Sequence, residues 1–166
     1  MTWIPVPVNP KDVTADFLFN IAKKHRLIRA STVDDIVHFK EICSRCAVIL
    51  IEDDETKEEI GHVIFSNIQD GESADLDLIP NPKYFSPAHP EFREEIKVAL
   101  VPVLESLMEG RSLRRVNASV PESRNRTKKA LMACGFEKEG VTRKGIKFAG
   151  KEAENIINMG LLSGKE

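Results

Sequence analysis

Apolar residues recur along the chain with two different periods, and those with a period of two, or in a continuous run, predict seven strands. The alternation is clearest over residues 115–120, where valine and alanine alternate with arginine, asparagine and serine. The first predicted strand contains Pro5 and Pro7 and is therefore expected at an edge of the sheet or in a partly irregular position. The predicted strands are Trp3 to Val8, Ala47 to Ile51, Ile60 to Ile68, Ser73 to Ile79, Arg115 to Val120, Phe136 to Gly150 and Ala153 to Leu162.

Segments with the helical period predict four helices between these strands. The first opens at Asn9-Pro10-Lys11-Asp12, with a cap and a proline, and the second opens where Ser31 and Asp34 have the spacing of a capping box. A long third helix runs from Glu91 to Gly110, and Gly135 ends a short fourth one. The first helix is expected to bury Val13, Phe17, Leu18, Ile21 and Ala22. Because short turns join the strands between residues 47 and 79 into a meander, the spacing by itself predicts a mixed α/β sheet.

The composition narrows the class of protein. With 166 residues, the chain is expected to form one domain over 1–166 whose core needs neither disulfides nor a metal. Lysine and arginine total 24 and aspartate and glutamate 26, so the charge balance indicates neither nucleic acid nor a membrane as the partner. No apolar run reaches 18 residues and the N-terminus does not resemble a signal peptide, which predicts a cytosolic protein. Cys43 and Cys46 with His38 provide too few ligands for a zinc site, so both cysteines are interpreted as core residues.

The segment from Leu113 onward carries a family resemblance. A strand is followed by a tight turn, an Asn-led helix that ends in Gly-Phe, and a strand that opens with Glu-Gly and Arg. This order resembles the GNAT superfamily of acyl-CoA-dependent N-acyltransferases. The matching positions are Asn125, Gly135, Phe136, Glu139, Gly140, Arg143 and the closing strand from Asn155 to Leu162. The resemblance implies an α+β fold with a mixed, mostly antiparallel sheet, and an enzyme that transfers an acetyl group from acetyl-CoA to an amine of a small molecule or protein.

The resemblance also implies where acetyl-CoA would bind. In the family, the fourth and fifth strands splay to admit the pantetheine arm, and the pyrophosphate lies on a glycine-rich loop at the start of the next helix. Residues 81–95 contain no glycine, and three acids near the predicted helix start oppose a phosphate, an effect that His89 and Arg93 offset in part. The candidate cofactor-binding residues are Leu78, Ile79, His89, Arg93 and Asn125.

Candidate catalytic groups lie on the fourth strand and in the loop after it. Asp75 and Asp77 share one face of the strand, where a carboxylate can take a proton from an amine, and Glu72 precedes them. The alternative interpretation is an ordinary half-solvated strand with its leucines turned inward. Family members often carry a tyrosine acid on the short helix, where this chain has leucine and methionine. Its single tyrosine, Tyr84, is therefore either the candidate acid or a residue that covers apolar surface.

Two functions of different class stay open on the sequence. The absent glycines and helix tyrosine also suit a GNAT-like protein that has lost catalysis and serves as a binding or structural component, and a homodimer or larger assembly is left open. A basic cluster offers contacts to a nucleotide phosphate, RNA or an acidic protein, but nucleic acid is the weaker choice because no aromatic residues are interleaved. The favoured interpretation of the cluster is a solvated charged face. The cluster comprises Arg111, Arg114, Arg115, Arg124, Arg126, Lys128 and Lys129.

Overall fold

A mixed sheet of seven strands in the order β1-β2-β3-β4-β5-β7-β6 forms the frame of the molecule. The computed structural model describes residues 2–24, 46–84, 89–148 and 150–164. The strands are β1 Trp3–Pro7, β2 Ala47–Asp53, β3 Glu59–Gln69, β4 Ser73–Pro80, β5 Arg115–Pro121, β6 Glu137–Ile146 and β7 Glu154–Leu162. All neighbouring strands are antiparallel except β4 and β5. The predicted α+β class is confirmed, and β1 lies at an edge, as its prolines indicate.

Three α-helices accompany the sheet in the described residues: α1 Ala15–Lys24, α2 Phe92–Gly110 and α3 Asn125–Ala133. The prediction that α1 opens at Asn9 is wrong. Asn9 caps a short 3-10 turn, and Val13, the residue that follows this turn, is extended. The helix begins after a second cap, Thr14, whose Oγ1 accepts a hydrogen bond from the Phe17 backbone N–H at 3.1 Å. None of the described helices is long and apolar enough to cross a membrane. The second predicted helix, with Ser31, Asp34, His38 and Cys43, lies outside the described residues.

The two faces of the sheet are covered by different helices. Helices α2 and α3 bury Ile96, Leu100 and Leu131 against one face, which we call the α2 face. On the opposite face, the α1 face, Leu18 and Ile21 pack against Val48, Ile64 and Ile79. Successive side chains of a strand point to opposite faces, so residues 74, 76 and 78 of β4 enter the α2 core while 75, 77 and 79 lie on the α1 face.

Gly135 ends α3 in the way that the sequence predicts. Its φ is +102°, and its N–H donates to the Met132 carbonyl at 3.0 Å while the N–H of Phe136 donates to the Leu131 carbonyl at 3.1 Å. These two hydrogen bonds form a Schellman motif, which satisfies carbonyls that the helix end leaves without partners. The motif turns the chain from α3 into β6.

Gly135→Ala is expected to lower the free energy of unfolding by about 1–2 kcal/mol, because a side chain is disfavoured at positive φ. The new Cβ would also lie 3.1 Å from Leu161 Cδ1. Urea denaturation measures the loss, and Gly110→Ala is the matched control because a Cβ there meets nothing within 4 Å. A loss at Gly135 no larger than the change at Gly110 would contradict this account.

Candidate active site

Strands β4 and β5 lie side by side only over their first halves. Their parallel pairing joins residues 73–76 to residues 115–118, although β4 continues to Pro80 and β5 to Pro121. Over the remaining length β4 stays paired with β3, and β5 stays paired with β7. The strands therefore part, and backbone groups that would continue their ladder face a cleft instead.

The candidate cofactor residues Leu78 and Ile79 lie on the part of β4 that borders this cleft. Both side chains are buried, Leu78 in the core on the α2 face and Ile79 in the core on the α1 face. Their side chains are therefore not placed to line the cleft. Backbone groups of successive strand residues point to opposite edges, so only one of the two residues turns its N–H and C=O toward the cleft, and the other turns them toward β3. The role of Leu78 and Ile79 in binding a cofactor stays a prediction.

Two helix N-termini stand at the mouth of the cleft. Because β4 and β5 are parallel, their C-terminal ends point the same way, and the chain continues from them into α2 and α3. The Arg126 guanidinium lies 5.2 Å from the centre of the Phe92 ring and so joins the first turns of the two helices. Neither N-cap residue, Glu91 or Arg124, makes a side-chain cap hydrogen bond. Helix N-termini of this kind attract anions.

Basic, polar and acidic side chains lie at these helix starts, since the first turn of α2 also carries Glu94 and Glu95. Arg93 lies 6.0 Å from the centre of the Phe92 ring, and Asn125, the first residue of α3, is exposed. The sequence singles out Arg93 and Asn125 but places Arg126 only in a general basic cluster. The packing of α3 against α2 is what brings Arg126 to the same place, and no local signal in the sequence reveals that packing.

His89 and Tyr84 form an aromatic cluster with Trp3 of β1. The His89 and Trp3 rings stack with their centres 5.4 Å apart, and Tyr84 meets both rings edge-on. His89 Nε2 also lies 2.8 Å from Glu95 Oε2. These contacts fix the two ends of the loop between β4 and α2 against β1. His89 is thus already engaged with a carboxylate near the start of α2.

Tyr84 is a buried residue whose hydroxyl donates a hydrogen bond to Glu58. Burial, and then the neighbouring Glu58, raise the pKa of the Tyr84 phenol. The same hydrogen bond, together with Lys83, lowers the pKa of the Glu58 carboxyl. A phenol with a raised pKa holds its proton more tightly, so these contacts favour the packing role of Tyr84. Its role as the acid stays an untested prediction.

Asp75 and Asp77 lie on the α1 face of β4, as the period of two predicts. Asp75 is half-buried, and its Oδ1 and Oδ2 accept hydrogen bonds from the side-chain amides of Asn117 at 3.2 Å and Asn67 at 3.4 Å. Asp77 is exposed and is the first residue of β4 beyond the last β4–β5 pair. The two carboxylates therefore mark the place on this face where the cleft begins. Glu72 is exposed at the start of β4, and its carbonyl accepts from the Arg114 N–H.

Two further polar residues of β5, Asn117 and Arg115, extend the hydrogen bonding of Asp75. Asn117 is paired with Asp75 in the parallel register, and Arg115 Nε donates to Asn117 Oδ1 at 2.6 Å. The alternation along 115–120 predicts that Arg115 and Asn117 share a face. It does not predict which residue of β4 lies opposite, because register between distant strands leaves no local signal. Asn117 is therefore a site residue that the sequence analysis missed.

A separate cavity of about 720 Å³ lies at the other end of β5, between the C-terminal half of α2 and the end of β7. Cys134 lines it, and burial raises the pKa of that thiol to about 11.

Cys46 is half-buried and packs against the core on the α1 face. Within the described residues, no group of three or more histidine, cysteine, aspartate or glutamate side chains is placed to hold a metal ion.

Comparison with models of protein families and with curated protein sequences finds no match. Solved structures match in fold. Spermidine N-acetyltransferase from Vibrio cholerae, in complex with CoA and spermine, matches with a TM-score of 0.67 at 16% identity, over 99% of this chain and 97% of that one. A dodecameric structure of that enzyme in an intermediate state gives 0.65 at 16% identity, over 99% and 95% of the two chains. A mutant form gives 0.67 at 17% identity, over 99% and 95%. The chain therefore shares the fold of these N-acetyltransferases, the fold that the resemblance implied.

Proposed function

We propose that the protein transfers an acetyl group from acetyl-CoA to an amine of a small molecule or protein. The observation that carries this proposal is the parting of β4 and β5 beyond residues 76 and 118, with two uncapped helix N-termini at the mouth of the cleft. The N-acetyltransferases that share the fold support it. Self-association as a homodimer or larger assembly belongs to the same proposal, and the dodecameric neighbour supports it.

The residues present fit acetyl-CoA as the acyl donor. Beyond residue 76, β4 keeps its pairing with β3, and its other edge along Leu78 and Ile79 suits the amide groups of a pantetheine arm, because a strand edge offers both donors and acceptors. At the helix starts, Arg93 and Arg126 provide the positive charge, and Asn125 a polar contact, for the phosphates. These guanidinium groups compensate in part for the glycine-rich loop that residues 81–95 lack.

The chemistry requires a proton to leave the amine. When bound, acetyl-CoA supplies a thioester, so that a C–N bond to the amine replaces the C–S bond and the amine proton ends on the departing sulfur or in solvent. Asp77, an exposed carboxylate where β4 leaves β5, is the candidate base for that proton. Asp75 lies on the same face and adds negative charge for a cationic amine. Spermidine and spermine, named for the neighbour structures, are cations of this kind and are suitable probes.

Acetyl-CoA at one hundred times its dissociation constant is expected to stabilise the protein by about 2.7 kcal/mol, and spermidine or a lysine peptide then to gain one acetyl group. Thermal unfolding measures the first result and mass spectrometry the second, with acetyl-CoA omitted in the control. The buried Cys134, with its pKa of about 11, should add little background to a thiol assay of released CoA.

Two other outcomes separate the alternatives. Stabilisation by acetyl-CoA without acetylation of any amine tested would favour the binding protein that has lost catalysis, which the absence of glycine from residues 81–95 also suits. If millimolar acetyl-CoA produced neither a thermal shift nor product, the acetyltransferase proposal would be wrong.

A further inference from the structure

A continuous series of hydrogen bonds crosses the α1 face from β6 to β3. Arg115 Nη2 donates to Glu139 Oε1, and Arg115 Nε donates to Asn117 Oδ1 at 2.6 Å. Asn117 Nδ2 donates to Asp75 Oδ1 at 3.2 Å, and Asn67 Nδ2 donates to Asp75 Oδ2 at 3.4 Å. We call the first four residues, Glu139, Arg115, Asn117 and Asp75, the polar network. It ends at a carboxylate beside the cleft.

Gly160 of β7 makes room for the polar network. Strand β7 lies between β5 and β6, so the ion pair of Arg115 and Glu139 has to pass over it. A Cβ on Gly160 would lie 2.6 Å from Arg115 Nη2 and 2.5 Å from Glu139 Oε1. Glycine at position 160 therefore allows the side chains of Arg115 and Glu139 to lie close to the β7 backbone. A residue with a Cβ at this position would displace their ion pair.

The donors and acceptors give the polar network a direction. A guanidinium carries only donors, so the amide oxygen of Asn117 has to face Arg115 and its NH₂ group has to face Asp75. The Asp75 carboxylate only accepts and selects the same orientation, so the two partners hold the amide from both ends; with Arg115 absent, the oxygen end of the amide loses its hydrogen bond and only the contact to Asp75 holds the side chain. How firmly Asn117 is held thus depends in part on Arg115, a residue that does not itself contact Asp75.

We propose that Arg115 is a positioning residue that holds the Asp75 carboxylate, through Asn117, in one orientation for the amine substrate. The inference rests on the proposed function and deepens it. Each oxygen of Asp75 accepts one amide N–H and keeps a further lone pair for an ammonium group. Arg115 acts on the acceptor amine and not on acetyl-CoA, because the polar network ends on β4 away from the two helix N-termini.

The kinetic test separates positioning from stability. Arg115→Met is expected to raise the KM for spermidine about 10-fold or more, the loss expected when charge-assisted hydrogen bonding around a binding group is broken. The KM for acetyl-CoA should stay unchanged. In an Asp75→Asn background, Arg115→Met should have no further effect, because its action passes through Asp75. Arg111→Met is the control, since Arg111 pairs with Asp70 outside the polar network. Equal KM values for Arg115→Met and wild type, or effects that multiply in the double variant, would overturn the proposal.

Conservative variants and a spectroscopic measurement complete the test. Glu139→Gln keeps an acceptor for Arg115 and should raise the KM for spermidine less than Arg115→Met does, whereas Gly160→Ala displaces the ion pair and should approach the Arg115→Met phenotype. The side-chain amide signals of Asn117 in NMR spectra should shift in Arg115→Met and shift less in Glu139→Gln. If the wild type is inactive, the proposed function fails and so does the role in catalysis, while the amide signals still decide whether Arg115 orients Asn117. Amide signals unchanged in Arg115→Met would refute the orientation as well.

Discussion

Asp77→Asn is expected to lower kcat by about 10²- to 10⁴-fold and to leave acetyl-CoA affinity unchanged, the pattern of a lost general base. Asp77 lies at the point where β4 leaves β5 and is exposed on the α1 face. An amide of the same shape cannot accept a proton at neutral pH, so the substitution removes the chemistry and keeps the volume. Steady-state kinetics with saturating acetyl-CoA measures kcat, and thermal shift measures the affinity.

Asp70→Asn is the matched control for this prediction, because Asp70 is an exposed carboxylate in the turn before β4 that pairs with Arg111 at 3.0 Å. It should retain wild-type kcat. Full activity in each of Asp77→Asn, Asp75→Asn and Glu72→Gln would remove the base from the mechanism. The amine would then have to react in the form already deprotonated in solution, and activity would follow the pKa of the substrate amine.

Local signals account for the parts of the fold that the sequence predicts. The apolar alternation of β5 and the Gly135 helix end depend on residues close together in the chain, and the structure contains both. The short turns predict that β2, β3 and β4 form a meander, and the structure pairs these strands in that order. Asn9 shows the limit of such signals. Asn9 and Thr14 both have the chemistry of an N-cap, but Val13 between them is extended, so α1 begins after Thr14 and not after Asn9.

The candidate site was predictable only where it depends on a single strand. The period of two places Asp75 and Asp77 on one face, but their neighbours come from elsewhere in the chain. Asn117 reaches Asp75 through the parallel register of β4 and β5, and Arg126 reaches Phe92 through helix packing. Contacts between residues far apart in the chain depend on the whole core, so no window of sequence contains them.

Phe92→Ala is expected to lower the free energy of unfolding by about 3–5 kcal/mol, the usual cost of deleting a fully buried aromatic side chain. The Phe92 ring is completely buried at the first residue of α2 and belongs to the core on the α2 face. The loss is large beside a total stability of about 5–15 kcal/mol for a typical domain. Chemical denaturation measures it. Val98→Ala is the control on the same helix, because Val98 is 65% exposed and should change stability by less than about 0.5 kcal/mol.

The same substitution should weaken acetyl-CoA binding, because Phe92 is the surface on which Arg126 and Arg93 lie. Without the ring, both guanidinium groups lose the contact that holds them at the helix starts. Phe92→Leu keeps much of the apolar volume and should recover most of the stability, but a leucine has no π face and should recover little of the affinity. Acetyl-CoA titrations below the unfolding temperature of each variant separate the two effects. If Phe92→Leu binds acetyl-CoA as tightly as wild type, the ring serves the core alone and the arginines are positioned by other contacts.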